Sequence, residues 1–330
     1  MIKTYISEGN TTPMYKVIPN IVYSQLLGDP TVNAEAVIPG NIRKAPLTLT
    51  LMYAKPLQTL EEPDKEGVPG EGDHKPGPAA GPDAGPRKPV IINVEGGGFN
   101  IFQKDQNLVT LRYLCDAGFT VACVDYRKAS ESHWPSAIRD IKCAIRFLRT
   151  YADDFNIEPD RIGIIGESAG GYLAAFVGAT SETREFDSGA YLDQSSAVQA
   201  ACDMYGPTDF LKMDDDPNHS FFRDHCDPLS PESQFLGAGL KEIPEIVARA
   251  NPMTYVSKNT PPMLILHGDK DGNVGYSQSV MLHDALVAAG NEKVEMWRVP
   301  DHGHGGPAFT EPKMFNLIND FFTRAFNDVK

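Results

Sequence analysis

From residue 89 onward, short apolar runs alternate with longer amphipathic stretches. Val90–Val94, Thr120–Asp125, Arg161–Ile165, Val198–Met204, Met263–Leu266 and Val294–Trp297 are continuous and apolar, as buried strands are. Between them, Leu108–Ala117, Ser136–Asp154, a stretch ending near Gly178, Gln278–Ala289 and Met314–Phe326 read as helices. In Ser136–Asp154 the apolar positions Ala137, Ile141, Ala144, Ile145 and Leu148 fall on one helical face. Strands alternating with helices predict the α/β class, a mostly parallel sheet with helices on both faces. Upstream, Met14–Tyr23 is β-like and Leu47–Tyr53 alternates with period two, which predicts an antiparallel entry to the sheet.

Two stretches break the rhythm. Residues 57–88 are rich in Pro, Gly and charge and hold almost no apolar side chain. Such a segment does not repay its ordering entropy, so a flexible surface insertion between two strands is expected. Residues 206–260 are crowded with Pro, Asp and aromatic residues and are expected to form a small cap-like excursion. Phe210, Met213, Phe221, Phe222 and Phe235 are available there as pocket walls, although packing is the expected role of most. Asp214-Asp215-Asp216 offers a calcium-type cluster, but a solvated acidic turn is the preferred reading. No internal repeat is found, and residues 1–330 are read as one domain.

Composition narrows the partners. The formal net charge of −14 argues against nucleic acid and against an anionic membrane surface, because both attract basic proteins. The 41% hydrophobic and 22% charged content is that of an ordinary globular protein. The five cysteines (Cys115, Cys123, Cys143, Cys202 and Cys226) form no Cys-x-x-Cys pair, and buried free thiols are expected. Met1–Glu8 has no apolar h-region and no later run is long enough to span a membrane. A cytoplasmic location is therefore expected, with a removed signal as the alternative.

The chemistry enters at Gly166-Glu167-Ser168-Ala169-Gly170-Gly171. This Gly-x-Ser-x-Gly pentapeptide follows an apolar strand and opens a helix, the context of a nucleophile elbow. The turn is tight enough to strain the serine backbone, so its neighbours must be small; Gly166, Ala169 and Gly170 are. Ser168 would then stand above the sheet, at a helix N-terminus whose N–H groups face a developing oxyanion.

A serine nucleophile needs a base, and the base an acidic partner. Where the serine sits on an elbow of this kind, they come after it in chain order, at the ends of later strands. Met263–Leu266 runs into His267-Gly268-Asp269-Lys270-Asp271. Asp271 is the best-placed acid and Asp269 its rival; either also makes turns, and spacing alone does not separate them. Val294–Trp297 runs into Asp301-His302-Gly303-His304. His304, with glycines on both sides, is the best-placed base and His302 its rival. Two His and one Asp so close together seldom complete a metal site, and His267 at its strand end reads as structural. Ala169 supplies one oxyanion N–H, and Glu95-Gly96-Gly97-Gly98-Phe99, just after Val90–Val94, is placed to supply others.

Taken together, these residues resemble a known family. Glu95–Phe99 looks like the His-Gly-Gly-Gly oxyanion motif of hormone-sensitive-lipase-like esterases. Asp125-Tyr126-Arg127, Trp134-Pro135 with Ala137 and Asp140, the Gly-Glu-Ser-Ala-Gly-Gly elbow, Tyr205–Asp209 and Pro261–Asp271 fit as well. The sum is most similar to the bifunctional feruloyl and acetyl-xylan esterase branch of the α/β-hydrolases, over roughly residues 40–326 without the insertion. The resemblance implies Ser168, Asp271 and His304 as a catalytic triad, over Asp269 and His302, and Gly97, Gly98 and Ala169 as oxyanion donors. It implies hydrolysis of short-acyl or feruloyl esters on plant polysaccharide fragments, with a small-molecule or oligosaccharide ester as partner and neither metal nor organic cofactor. The family usually has His where this chain has Glu95. A carboxylate beside an oxyanion is harmful unless it is paired or turned away, so Glu95 is expected to be anchored by a donor.

Three alternatives share parts of this machinery. A prolyl-oligopeptidase-type peptidase usually has Tyr after the elbow serine and a large second domain, whereas Ala169 follows here. An arylformamidase shares the glycine loop and triad, and a substrate assay separates it. A binding protein on the same scaffold would normally have lost a triad member, and none is lost.

Overall fold

The computed structural model describes residues 14–24, 46–55 and 85–329. Most of the expected insertion, residues 57–88, therefore lies outside the described residues; residues 85–87 are exposed coil, and Lys88 already belongs to the following strand. Eight strands form one sheet: β1 Met14–Ser24, β2 Leu47–Lys55, β3 Lys88–Val94, β4 Thr120–Val124, β5 Ile157–Glu167, β6 Ala200–Met204, β7 Met263–Gly268 and β8 Val294–Val299. Their order is β1-β2-β4-β3-β5-β6-β7-β8, with β2 antiparallel to both neighbours and every other pair parallel. The antiparallel entry and the parallel body agree with the hydrophobic pattern.

The parallel strands are apolar throughout because both faces are covered. On one face lie α2 (Ser136–Thr150), α3 (Ala169–Ala179) and α6 (Tyr276–Ala288), whose Ile141, Ile145, Phe176 and Leu282 pack on Ile92, Ile164 and Ile265. On the other lie α1 (Leu108–Asp116) and α7 (Pro312–Asn327), whose Leu111, Leu114, Phe321 and Phe322 pack on Ile91, Ile165 and Leu264. Successive residues of one strand thus serve opposite cores, as the pleat requires.

Two boundaries differ from expectation by more than two residues. The helix read as Ser136–Asp154 ends at Thr150. Asp153 and Asp154 would put negative charge on its carbonyl end, and the chain instead turns through Asn156 at φ 52°. The elbow strand begins earlier, at Ile157, because Lys88 pairs with Ile157 at the start of β3.

Residues 206–260 hold only short elements, among them a 3₁₀ turn at Phe210–Asp215, α4 (Pro231–Leu236) and α5 (Pro244–Ala250). Phe210, Met213 and Phe235 are buried, and Phe235 stacks on Phe99 at 4.0 Å. These are packing residues; Phe222, 82% exposed, is not. The acidic run is a solvated turn only in part: Asp215 is exposed and Asp214 half-buried, but Asp216 is not solvated. Asp216 is buried and accepts the N–H groups of Asn218 and Ser277, and Asp214 accepts the N–H of His225. Cys115, Cys123, Cys143 and Cys202 are buried free thiols and Cys226 is half-buried. Among the described residues no helix is long and apolar enough to cross a membrane.

Candidate active site

The turn from β5 into α3 is built on contacts that only glycine permits. A Cβ on Gly166 would lie 2.1 Å from the Gly170 carbonyl oxygen, and one on Gly170 would lie 2.0 Å from that of Val94. Between them Ser168 takes φ 53°, ψ −123°, a strained left-handed conformation for a side-chain-bearing residue. The strain lifts the hydroxyl off the strand axis at the N-terminus of α3.

His304 and Asp271 meet it there. Ser168 Oγ lies 2.8 Å from His304 Nε2, and His304 Nδ1 lies 2.7 Å from Asp271 Oδ2. The loops after β7 and β8 make this possible by packing on each other: Lys270 N–H donates to the His302 carbonyl, and a Cβ on Gly268 would strike that same oxygen. The rivals are engaged elsewhere. Asp269 pairs with Arg298 and accepts the Asp301 N–H, and His302 Nδ1 faces the Pro300 carbonyl.

Asp271 is fully buried and held from several sides. The N–H groups of Asn273 and Val274 donate to Oδ1, and His267 Nε2 lies 3.2 Å from Oδ2. Burial pushes its pKa up, but the hydrogen bonds from His267 and His304 outweigh burial and hold the carboxyl well below the usual range. A carboxyl held this low is ionised near neutral pH, which suits a group that holds one imidazole tautomer. The strand-end position of His267 predicts a structural role. The residue is fully buried and bonded to Ser279 and the Val274 carbonyl, yet it also touches the acid. Tyr205 is a second residue that sequence reasoning did not place here. Its ring meets His304 edge-on at 4.9 Å and its hydroxyl donates to Glu167. The strand end at Met204 was the available signal for Tyr205.

The glycine loop lies against the elbow. A Cβ on Gly96 would approach the Glu167 carbonyl to 2.4 Å and the Ser168 Cβ to 3.0 Å. Gly97 and Gly98 follow at φ 117° and φ 56°, and Gly97 is exposed. Glu95, where a histidine is usual in the family it resembles, is fully buried beneath them. Its carboxylate accepts from Asn93 Nδ2, Gln106 Nε2 and Asn107 Nδ2 at 2.7–2.8 Å, and Asn107 also donates to Glu167. Burial raises the Glu95 pKa to about 7, with the Glu167 charge adding to it and the amide donors opposing. The carboxylate is thus paired and directed at α1.

Comparison with known proteins agrees with this architecture. The BD-FAE family model matches residues 81–286. The esterase LipQ of Mycobacterium tuberculosis is 30% identical over 68% of this chain and 52% of its own length, and this chain spans about half the length of the curated relatives it matches. Among solved structures, a truncated carbohydrate esterase from gut microbiota superposes with a TM-score of 0.71 at 27% identity, over 95% of this chain and 97% of its own. An acetyl ester-xyloside bifunctional hydrolase from Caldicellulosiruptor lactoaceticus follows with a TM-score of 0.60 at 26% identity, over 73% and 85%. With its eight-stranded sheet, its elbow at Ser168 and a family match over most of its length, the chain belongs to the BD-FAE family and has the α/β-hydrolase fold.

Proposed function

We propose that this chain is a serine carboxylic-ester hydrolase that works through an acyl-enzyme. The observation that carries the reading is the unbroken hydrogen-bonded line Ser168–His304–Asp271 at a strained elbow beside a glycine loop. His304 Nε2 takes the Ser168 proton as Oγ attacks the ester carbonyl carbon. Asp271 accepts the Nδ1–H and stabilises the imidazolium. The N–H groups of Gly97, Gly98 and Ala169 bind the tetrahedral oxyanion. His304 then protonates the departing alcohol. Water, activated by the same imidazole, releases the acid and restores Ser168.

The substrates are short-acyl or feruloyl esters of plant polysaccharide fragments. The names of the solved carbohydrate esterases support this choice. Exposed apolar side chains stand near the glycine loop: Ile101, just past it, is 85% exposed, and Leu229, two residues before the Pro231 that abuts Gly98, is 63% exposed.

Acetylated xylo-oligosaccharides, methyl ferulate and p-nitrophenyl acetate, assayed side by side, test both levels. Ser168→Ala should lower kcat by about 10⁶-fold on whichever is cleaved. Acetate release assigns a carbohydrate acetyl esterase, ferulate release a feruloyl esterase. Cleavage of p-nitrophenyl acetate alone keeps the chemistry and discards the polysaccharide. Hydrolysis that persists in Ser168→Ala would overturn the mechanism.

A further inference from the structure

One peptide unit joins the acid of the site to a second buried pair of ionisable side chains. The Val274 N–H donates to Asp271 Oδ1 at 3.0 Å, and the Asn273 carbonyl on the other side of that peptide lies 3.0 Å from His225 Nε2. His225 is buried, 2% exposed, and its Nδ1 lies 3.0 Å from Glu232 Oε2 on α4, itself 5% exposed. Both ring nitrogens therefore face oxygen acceptors, a carbonyl and a carboxylate. Only the doubly protonated imidazolium satisfies both. The ring is also covered by Phe221, stacked at 4.9 Å and 11°.

We propose that His225 and Glu232 form a buried ion pair that positions Asp271 through the Asn273–Val274 peptide and ties the acid loop to the oxyanion loop through α4. The second half of the link is packing. Pro231 lies against Gly98, Phe235 stacks on Phe99, and Asn100 donates to Gln234. A cation on the carbonyl end of a peptide polarises its N–H and strengthens the bond to the carboxylate beyond. His225 and Glu232 are positioning residues: neither reaches the reacting atoms, and both act through Asp271. This inference rests on the ester-hydrolase reading of the same site.

The charges around the ring are consistent with the imidazolium. Glu232 faces it from α4 and Asp214 from the 3₁₀ turn, with Asp224 beside Asp214. The neighbouring ring of His219 lies 5.5 Å away. Burial lowers the His225 pKa, but the hydrogen bond and charge of Glu232, with Asp214, outweigh it and leave the net shift upward.

The test is a double-mutant cycle on p-nitrophenyl acetate hydrolysis. Glu232→Gln keeps an acceptor and removes the charge. It should lower kcat about tenfold with KM nearly unchanged, and bring the alkaline fall in kcat to lower pH. In an Asp271→Asn background the same substitution should do nothing further, because its route runs through Asp271. Wild-type kcat and pH profile in a folded Glu232→Gln protein would overturn the proposal. So would a loss that simply multiplies with that of Asp271→Asn. If Glu232→Gln does not fold, the wild-type protein decides. Long-range ¹H–¹⁵N spectra of the histidine rings at pH 7, with His225 assigned through the Phe221 ring, should show an imidazolium; a neutral tautomer rejects the pair. That spectrum needs no substrate, so failure of the ester-hydrolase reading is seen separately, in the Ser168→Ala comparison.

Discussion

At the residue scale the most informative side chain is Glu95, because it departs from the pattern its neighbours follow. The three glycines after it could be read as an oxyanion loop from their place behind an apolar strand. That Glu95 needs a donor was an electrostatic expectation. That it has three, from Asn93, Gln106 and Asn107, was not legible, since Gln106 and Asn107 carry no motif and reach Glu95 only through the fold. Glu95→Ala should lower kcat on p-nitrophenyl acetate by about tenfold, as the three amides lose their acceptor and the glycine loop its footing; full activity would count against the anchoring role. The pH sign follows from the raised pKa. Folding moves Glu95 from its ordinary 4.5 to about 7, so the folded chain holds the proton more tightly than the unfolded one. Its contribution to stability is complete below pH 4.5 and is lost as pH rises through about 7. Thermal melts of wild type and Glu95→Gln at pH 5 and pH 8 check this: wild type should lose ground to the variant at the higher pH.

At the element scale, β5, the elbow and α3 were readable because every local requirement sits within a dozen residues. The strand is apolar, the turn residues are small and the helix follows. The excursion over residues 206–260 was not readable in this way. Its short elements are held by distant partners: Phe235 by Phe99, Trp134 N–H by the Phe235 carbonyl, Ser220 N–H by the Gly272 carbonyl. None of these pairs leaves a periodicity in the chain. The same logic separates glycines. Gly170→Ala would drive a methyl to 2.0 Å from the Val94 carbonyl oxygen and 2.8 Å from the Glu95 carbonyl carbon. These are backbone atoms at the root of the glycine loop and they cannot swing aside. The substitution should cost about 1–3 kcal/mol of stability and reduce kcat as well. Gly239→Ala, whose new methyl would meet only the Glu242 side chain at 3.4 Å and beyond, should leave both within experimental error. Urea melts and steady-state kinetics on the two variants distinguish a tight turn from an ordinary glycine.

Across the whole molecule, hydrophobic patterning predicted the layers well and misjudged what a helix face can bury. On α2 the apolar stripe from Ala137 to Leu148 packs on the sheet as its period requires. Lys142 and Arg146 lie outside that stripe and would ordinarily be exposed, yet both are fully buried. The segment after α3 covers them. Lys142 Nζ donates to the Thr180 carbonyl and Ser196 Oγ, and Arg146 pairs with Asp187 and donates to the Ala190 carbonyl. A charge–backbone seam thus fastens a connection that sequence reasoning left without structure. Burial lowers the Lys142 pKa from 10.5 to about 8, against the pull of Asp187. The folded chain therefore releases this proton more readily than the unfolded chain does. The desolvation cost is fully present below pH 8 and is relieved as pH rises from there toward 10.5. Lys142→Met removes that dependence and leaves the Thr180 carbonyl and Ser196 without their donor. Wild type should accordingly be the more stable of the two, and its margin in melting temperature should widen between pH 7 and pH 9.5. A margin that is constant or shrinks over that range would mean that Lys142 keeps ordinary access to water, and that the 180–196 connection does not seal this face of α2.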